Sequence, residues 1–232
     1  MKKAVVTLCI GEDASGFSQY SHPIFRRYAE KVEADFICID TPKIKLPKYP
    51  EGINPILFEK YQLFDILADY ERALYLDTDI LITPHAPNIF NVVPYDKVAG
   101  VFEDFGMDMR DRRVRIQAVQ AILGDIGWRT GYMNSGVFVV SRPHREAFRL
   151  YLTYPPVQCK YEQTSTNWYL RKVAGDILPL DYKWNYMGIS RVYYGPNYRR
   201  AYFIHYAGGG IFPWIPRLDQ IRADYEYFYG IS

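Results

Sequence analysis

The chain has 232 residues, about the length of one ordinary domain with a full core. Hydrophobic residues make up 49% and charged residues 23%, which excludes a disordered chain. A net charge of +2 is too small to argue for nucleic acid or an acidic partner.

The N-terminus passes from MKK into the short run AVVTLCI, with Glu12 and Asp13 close behind. That run is too short and wrongly flanked for a secretion signal, and no stretch approaches the length of a membrane span. Cys9, Cys38 and Cys159 are far apart in the sequence, odd in number and lack zinc-ligand spacing. Reduced thiols in a cytoplasmic protein are the expectation.

Residues 3–10 form a β-branched apolar run and read as a buried strand. A loop with Gly11 and Gly16 is expected next. YSHPIFRRYAEKVEADF places Ile24, Tyr28 and Val32 near helical spacing, so it reads as a helix. FICID reads as a second strand, and the Pro-rich stretch 42–55 as a loop. FEKYQLFDILADY reads as an amphipathic helix with Phe58, Tyr61, Phe64 and Leu67 on one side. ALYLD is the third strand, and KVAGVFE (97–103) a fourth. Residues 107–123 read as a helix carrying Arg110, Arg112, Arg113 and Arg115. Their interleaved acids suggest a solvated face, with a lid or acceptor contact as the alternative. MNSGVFVVS reads as a strand and HREAFRLYLTY as a helix. The last forty residues read as aromatic loop, open to docking on the core, on a dimer mate or on a membrane surface. The alternation of strand and helix predicts an α/β fold, a mostly parallel sheet with crossover helices, in one domain over 1–232.

Chemistry concentrates in four places. In ALYLDTDILI, Asp77 and Asp79 interrupt an apolar run at the end of a strand, where parallel sheets bind ligands. If the backbone stays extended, residues two apart share a side, and paired carboxylates there call for a cation. Oxygen ligands suit Mg2+ or Mn2+, ions that also hold substrate phosphates. The plainer alternative is two solvated aspartates in a turn. In TGYMNSGVFVVS, Asn134 and Ser135 offer hydrogen-bonding groups, and Gly136 permits close approach of a ligand. A simple turn into a strand would look the same. In YEQTSTNWYL, Glu162, Gln163 and Asn167 suit a polyol and a positive sugar centre, although the run also contains good helix caps. In FIHYAGGG, His205 can ligate a metal and the glycine amides can face phosphate oxygens, against a purely structural role for a lone histidine.

The ordered set LDTD, NSGVFV, EQ-x3-N and H-x-x-G resembles glycosyltransferase family eight and the glycogenin-like enzymes. The resemblance covers roughly residues 3 to 214. It implies the GT-A, Rossmann-like nucleotide-diphospho-sugar transferase fold. It implies Asp77, Asp79 and His205 as ligands of Mn2+ (or Mg2+), with the first aspartate near the ribose. It implies Asn134, Ser135 and Gly136 along the donor sugar, and Glu162 and Gln163, the catalytic candidates, by its reacting face. Lys60 resembles a donor-contacting lysine, and Thr7 and Leu8 resemble nucleoside-binding residues. Thr78, Gly208 and Gly209 join the donor-binding set. Two departures stand out. Glu162 replaces the Asp common in the family, and HYAGGGIFPW has Phe212 where the family has a diphosphate-binding lysine. Arg217 or the amides of Gly208 to Gly210 are the candidate replacements.

The reaction implied is a metal-dependent, retaining transfer of a hexose from a nucleoside diphosphate sugar, with UDP the expected carrier, to a carbohydrate or other hydroxyl acceptor. A homodimer is left open. A catalytically weak nucleotide-sugar binder is the main alternative, because of Phe212. ALYLDTDIL and GDILPLD also imitate a haloacid-dehalogenase-type phosphatase, but that fold opens with its acidic motif, and here some seventy residues precede it. A glycoside hydrolase using Asp77 and Glu162 has nothing in the sequence to single out the pair.

Overall fold

The computed structural model describes residues 1–46, 49, 52–156 and 162–230. A six-stranded sheet forms its centre, built from β1 (Lys3–Leu8), β2 (Asp35–Ile39), β3 (Arg72–Asp77), β5 (Ala99–Phe102), β6 (Met133–Ser141) and β7 (Leu178–Pro179). The spatial order is β2-β1-β3-β6-β5-β7. β1 pairs in parallel with both β2 and β3, and β5 with β7, while β6 runs antiparallel to β3 and β5. The sheet is therefore mostly parallel, with one reversed strand.

Strand alternation sorts the apolar side chains into two cores. Val5, Leu74, Leu76, Val137 and Val139 face one layer, formed by α1 (Glu12–Lys31), α6 (Arg217–Tyr229) and a two-stranded ribbon. Ala4, Val6, Leu8, Tyr75, Phe138 and Val140 face the other, formed by α2 (Leu63–Asp69), α3 (Met109–Leu123), α4 (Glu162–Ala174) and the 3-10 turns before them. The ribbon pairs β4 (Ile80–Ile82) with β8 (Phe203–His205). A short helix, α5 (Gly188–Tyr194), precedes β8.

Several expected boundaries move. The helix expected from Tyr20 begins at Glu12, directly after Gly11 at φ 91°, so the loop through Gly16 is absent. A single helical glycine costs only about 1 kcal/mol relative to alanine, less than the burial of Phe25 and Tyr28 returns. The helix expected over 58–70 is a 3-10 segment over Pro55–Gln62 followed by α2. HREAFRLYLTY also folds as 3-10 helix, within Arg142–Leu152. The aromatic C-terminus is a helix docked on the core: Tyr225 meets Tyr20 of α1 edge-on, and Tyr229 Oη donates to Ile82 O. Buried Asp224 accepts from Tyr198, Arg199 and Tyr206. Among the described residues no helix is long and apolar enough to cross a membrane.

Candidate active site

The site forms where β3 ends. Asp77 closes the strand as register partner of Leu8 on β1. The chain turns at Thr78 and Asp79 and enters β4 at Ile80. The two carboxylates thus meet across a turn, and not through the extended alternation expected. The ribbon supplies the third group: Ile80 pairs with His205, and Tyr206 N donates to Asp79 O at 2.9 Å. One ligand atom each of Asp77, Asp79 and His205 lie within 4.8 Å of one another. His205 Nε2 is 3.2 Å from Asp79 Oδ1 and 3.9 Å from Asp77 Oδ2.

The histidine is aimed. Its Nδ1 lies 2.9 Å from Asn185 Oδ1, an acceptor, so Nδ1 donates there and Nε2 is the nitrogen turned toward the acids. Asn185 is itself oriented, because its Nδ2 donates to Asn134 Oδ1 at 2.9 Å. Burial alone would lower the pKa of His205, but Asp79 and Asp77 outweigh it and the net shift is upward. Burial alone would raise Asp79, but His205 and Arg217 outweigh it and the net shift is downward. Tyr75 Oη donates to Asp77 Oδ1 at 3.0 Å and fixes the first carboxylate.

Room is kept by Gly136. A Cβ there would stand 2.4 Å from His205 Cε1 and 2.6 Å from Asp77 Oδ2. Two carboxylates, an imidazole whose Nε2 faces them and this cradle fit a divalent cation of the Mn2+ or Mg2+ type, which would take the place of a proton on Nε2.

Beside this cluster lies a buried ion pair. Lys60 Nζ is 3.1 Å from Glu162 Oε2 and 3.3 Å from Ser135 Oγ, which it approaches as a donor. Thr166 Oγ1 donates to Glu162 Oε1 at 2.6 Å. Burial works to lower the Lys60 pKa, yet Glu162, Asp77 and Asp79 together raise it, so the ammonium stays charged. Burial pushes Glu162 upward against the pull of Lys60 and Thr166.

A second network carries the sugar-side candidates. Gln163 Oε1 accepts from Ser135 N at 3.1 Å and from Asn134 Nδ2 at 3.3 Å. Gln163 Nε2 donates to Glu103 Oε1 at 2.7 Å, and Asn134 Nδ2 to Glu103 Oε2 at 3.0 Å. Arg112 Nε lies 2.7 Å from the same Glu103 carboxylate. Arg112 is therefore part of this network and not of a solvated face, whereas Arg110 and Arg113 are exposed as expected. Asn167 is used differently: its Oδ1 accepts from Met133 N and its Nδ2 donates to Met133 O, which clamps the start of β6.

The sequence reading missed Glu103, Asn185 and Tyr75. Glu103 closes the quoted run KVAGVFE, and an acid ending an apolar strand was the available signal. Asn185 had none.

A cavity of about 240 Å³ opens next to the acids, lined by Leu8, Ile10, Phe17 and Ile56 and by Asp77, Thr78, Asp79 and Arg217. Thr78 Oγ1 donates to Leu8 O at 3.1 Å. Thr7 is not among the lining residues; its side chain is fully buried, and its Oγ1 has no hydrogen-bond partner among the described residues. Gly208 and Gly209 are exposed in the turn after β8, and Gly210 N is spent on Ala207 O. Phe212 lies apart from the acids, packed edge-on against Tyr198 and beneath Arg191. Arg217 is the cation at the site: its guanidinium contacts Asp79 Oδ2, and its Nε donates to Tyr206 O at 2.6 Å.

The sheet, the ribbon and the strand-end site together define the GT-A glycosyltransferase fold, and solved structures agree. A galactosyltransferase, LgtC, solved in complex with donor and acceptor sugar analogs, superposes with a TM-score of 0.66 at 13% identity, over 99% of this chain and 97% of that one. A glycosyltransferase involved in glycosylation of the major capsid of PBCV-1 gives 0.64 at 14% identity, over 96% and 100% of the two chains. GlyE of Streptococcus pneumoniae gives 0.59 at 14%, over 97% and 60%. No curated protein matches the sequence. The family model for glycosyl transferase family 8 matches residues 15–215, and the chain belongs to that family. It is a glycosyltransferase, as the ordered motifs implied.

Proposed function

We propose that this protein is a metal-dependent, retaining glycosyltransferase of one domain that moves a hexose from a UDP-sugar to a hydroxyl acceptor. The observation that carries the reading is the convergence of Asp77, Asp79 and His205 from β3, the turn after it and β8. These three residues would hold Mn2+ or Mg2+. Bound there, the ion supplies Lewis-acid stabilisation of the departing diphosphate, an effect of several kcal/mol.

The chain's own groups do the rest. Leu8, Ile10, Phe17 and Ile56 offer an apolar wall for the nucleoside beside Asp77 and Thr78. Arg217 supplies the positive charge that Phe212 does not, and reaches the diphosphate once Asp79 is otherwise engaged. Asn134, Ser135 and Gly136 line the sugar. Glu162 has both oxygens occupied, by Lys60 and by Thr166. Gln163 likewise has both ends of its amide occupied. Groups so committed suit preorganised stabilisation of positive charge better than nucleophilic attack. The reading that follows is front-side attack: the acceptor oxygen bonds to the anomeric carbon as the donor C–O bond breaks, and its proton passes to the departing phosphate oxygen. A cytoplasmic setting rests on the cysteine usage alone.

The test is UDP release from UDP-hexoses with Mn2+, comparing the parent with Asp79→Ala. Loss of release in the variant and in excess EDTA is expected; full activity in either would sink the metal assignment. A second reading, a nucleotide-sugar binder without turnover, is favoured by Phe212 and by the engagement of Arg217 with Asp79. Calorimetric UDP binding without UDP release toward any acceptor or water would select it.

A further inference from the structure

Two thiols and an imidazole meet on the α1 side of the sheet. Val5 packs against Ile24 and Phe25 of α1, and Thr7 faces the same side. Cys38 on β2 is the register partner of Thr7. Cys9 follows β1 directly, its N–H donating to Ile39 O at 2.9 Å. His22 stands on α1 above them, its ring edge-on to Phe36 at 5.4 Å. One ligand atom each of Cys9, His22 and Cys38 lie within 4.8 Å of one another. Two cysteines and a histidine that are far apart in sequence, with no zinc spacing, are brought together by the pairing of β1 with β2 and the packing of α1.

We propose that Cys9, His22 and Cys38 form a zinc-binding site, independent of the glycosyltransferase reading. Two sulfurs and an imidazole are a borderline-soft donor set, and three protein ligands leave a fourth position for water at these half-buried side chains. A second observation points the same way: His22 Nε2 is buried with no hydrogen-bond partner among the described residues. Burial, helped by Cys9 and Asp40, pushes the Cys38 thiol up to about 11, with Arg26 opposing. Binding is a proton exchange. Each thiol gives up its proton as its S–Zn bond forms, the imidazole donates a lone pair, and two protons leave for each Zn2+ taken up. The two thiolates neutralise the ion. The site would tie β1, α1 and β2 together one residue from Leu8, which lines the donor cavity.

The experiment is titration of the reduced, metal-free chain with Co2+ and Zn2+ under a non-thiol reductant. One equivalent of Co2+ should give thiolate-to-cobalt charge-transfer absorption, which carboxylate and imidazole ligands at the other site cannot produce. Zn2+ should displace it and raise the Tm. Cys9→Ser and Cys38→Ser should abolish the band, and His22→Gln should weaken Zn2+ binding about tenfold or more. The parent's own titration does not depend on any variant folding. Absence of the charge-transfer band in the parent, its survival in the Cys9→Ser/Cys38→Ser double variant, or a Cys9–Cys38 disulfide that persists under the reductant would overturn the site.

Discussion

His205 gives its Nδ1 proton to Asn185 Oδ1 at 2.9 Å while its Nε2 stands 3.2 Å from Asp79 Oδ1. The asparagine therefore turns Nε2 toward the acids, where it could ligate a metal, while its own hydrogen bonds run to His205 and Asn134. Partners of this kind typically account for a 10- to 100-fold change in metal affinity, so Asn185→Ala is expected to weaken Mn2+ binding by about that factor. Calorimetry with Mn2+ measures it directly, with far-ultraviolet circular dichroism as the control for folding. Parent-like affinity in a folded Asn185→Ala protein would remove Asn185 from the site.

A metal ion bound at Asp79 would compete with Arg217 for the carboxylate, since the guanidinium contacts Asp79 Oδ2. Removing it should therefore split two affinities that usually move together. Arg217→Ala is expected to bind Mn2+ as well as the parent or better, but to bind UDP in the presence of Mn2+ about tenfold or more weakly, the diphosphate having lost a charged partner. Arg217→Lys should recover only part of the loss, because an ammonium lacks the planar fork. Equal loss of both affinities would mean that Arg217 merely holds Asp79 in place.

The fold and the residues of the candidate triad were legible because they rest on short-range patterns. Apolar runs marked β1, β3 and β6, and Asp77, Asp79 and His205 each interrupt or end such a run. The pattern could not show how they meet: the turn at Thr78 brings the acids together, and register between β4 and β8 delivers the histidine. Asn185 and Glu103 act through partners far away in the chain, and no local spacing records that. Arg112 was misread for a related reason. Its acidic neighbours Asp108 and Asp111 are also ion-pair partners, so the local pattern looks solvated while Glu103, just past the end of β5, draws the guanidinium inward. Thr7 was placed by its position in a strand end, but strand alternation turns its side chain toward α1.

Tyrosine burial sets an alkaline limit. Burial pushes Tyr132, Tyr186 and Tyr198 each up to about 12 from an ordinary 10.0. An unfolded chain releases these protons near 10.0 while the folded chain holds them, so between 10.0 and about 12 the unfolded state binds fewer protons. Their contribution is intact below pH 10 and is lost as pH rises through that window. Tyr132, the most buried of the three, carries the largest share, and solvent screening reduces the share of Tyr198. Urea midpoints taken about one unit either side of pH 10 should fall steeply on the alkaline side with an unchanged m-value. A flat profile would show that these phenols titrate normally.

Gly136 is the most sterically exacting position in the site. An added Cβ would meet His205 Cε1 at 2.4 Å and Asp77 Oδ2 at 2.6 Å. The imidazole is pinned by Asn185 and the carboxylate by Tyr75, so neither can retreat without breaking a hydrogen bond. Gly136→Ala is expected to abolish Mn2+ binding and to cost about 1–3 kcal/mol of stability through overpacking. Metal titration and thermal melting check the two parts separately. A variant that still bound Mn2+ like the parent would show that β6 can shift away, and that the cradle is softer than the geometry indicates.

Lys60 and Glu162 are not equivalent halves of their ion pair. Lys60 also feels Asp77 and Asp79, whereas Lys60 is the cation that stabilises the charge of Glu162. Lys60→Met would leave a buried carboxylate beside two others with no cation between them, a loss expected at about 3–5 kcal/mol. Glu162→Gln removes one of three acids, leaves the ammonium compensated and keeps an acceptor for Thr166, so it should cost clearly less. The double variant Lys60→Met/Glu162→Gln should then be more stable than Lys60→Met alone. Denaturant melts of the three proteins close this cycle. Equal losses in the two single variants would mean that the aspartates do not reach Lys60, and that the pair stands apart from the metal site.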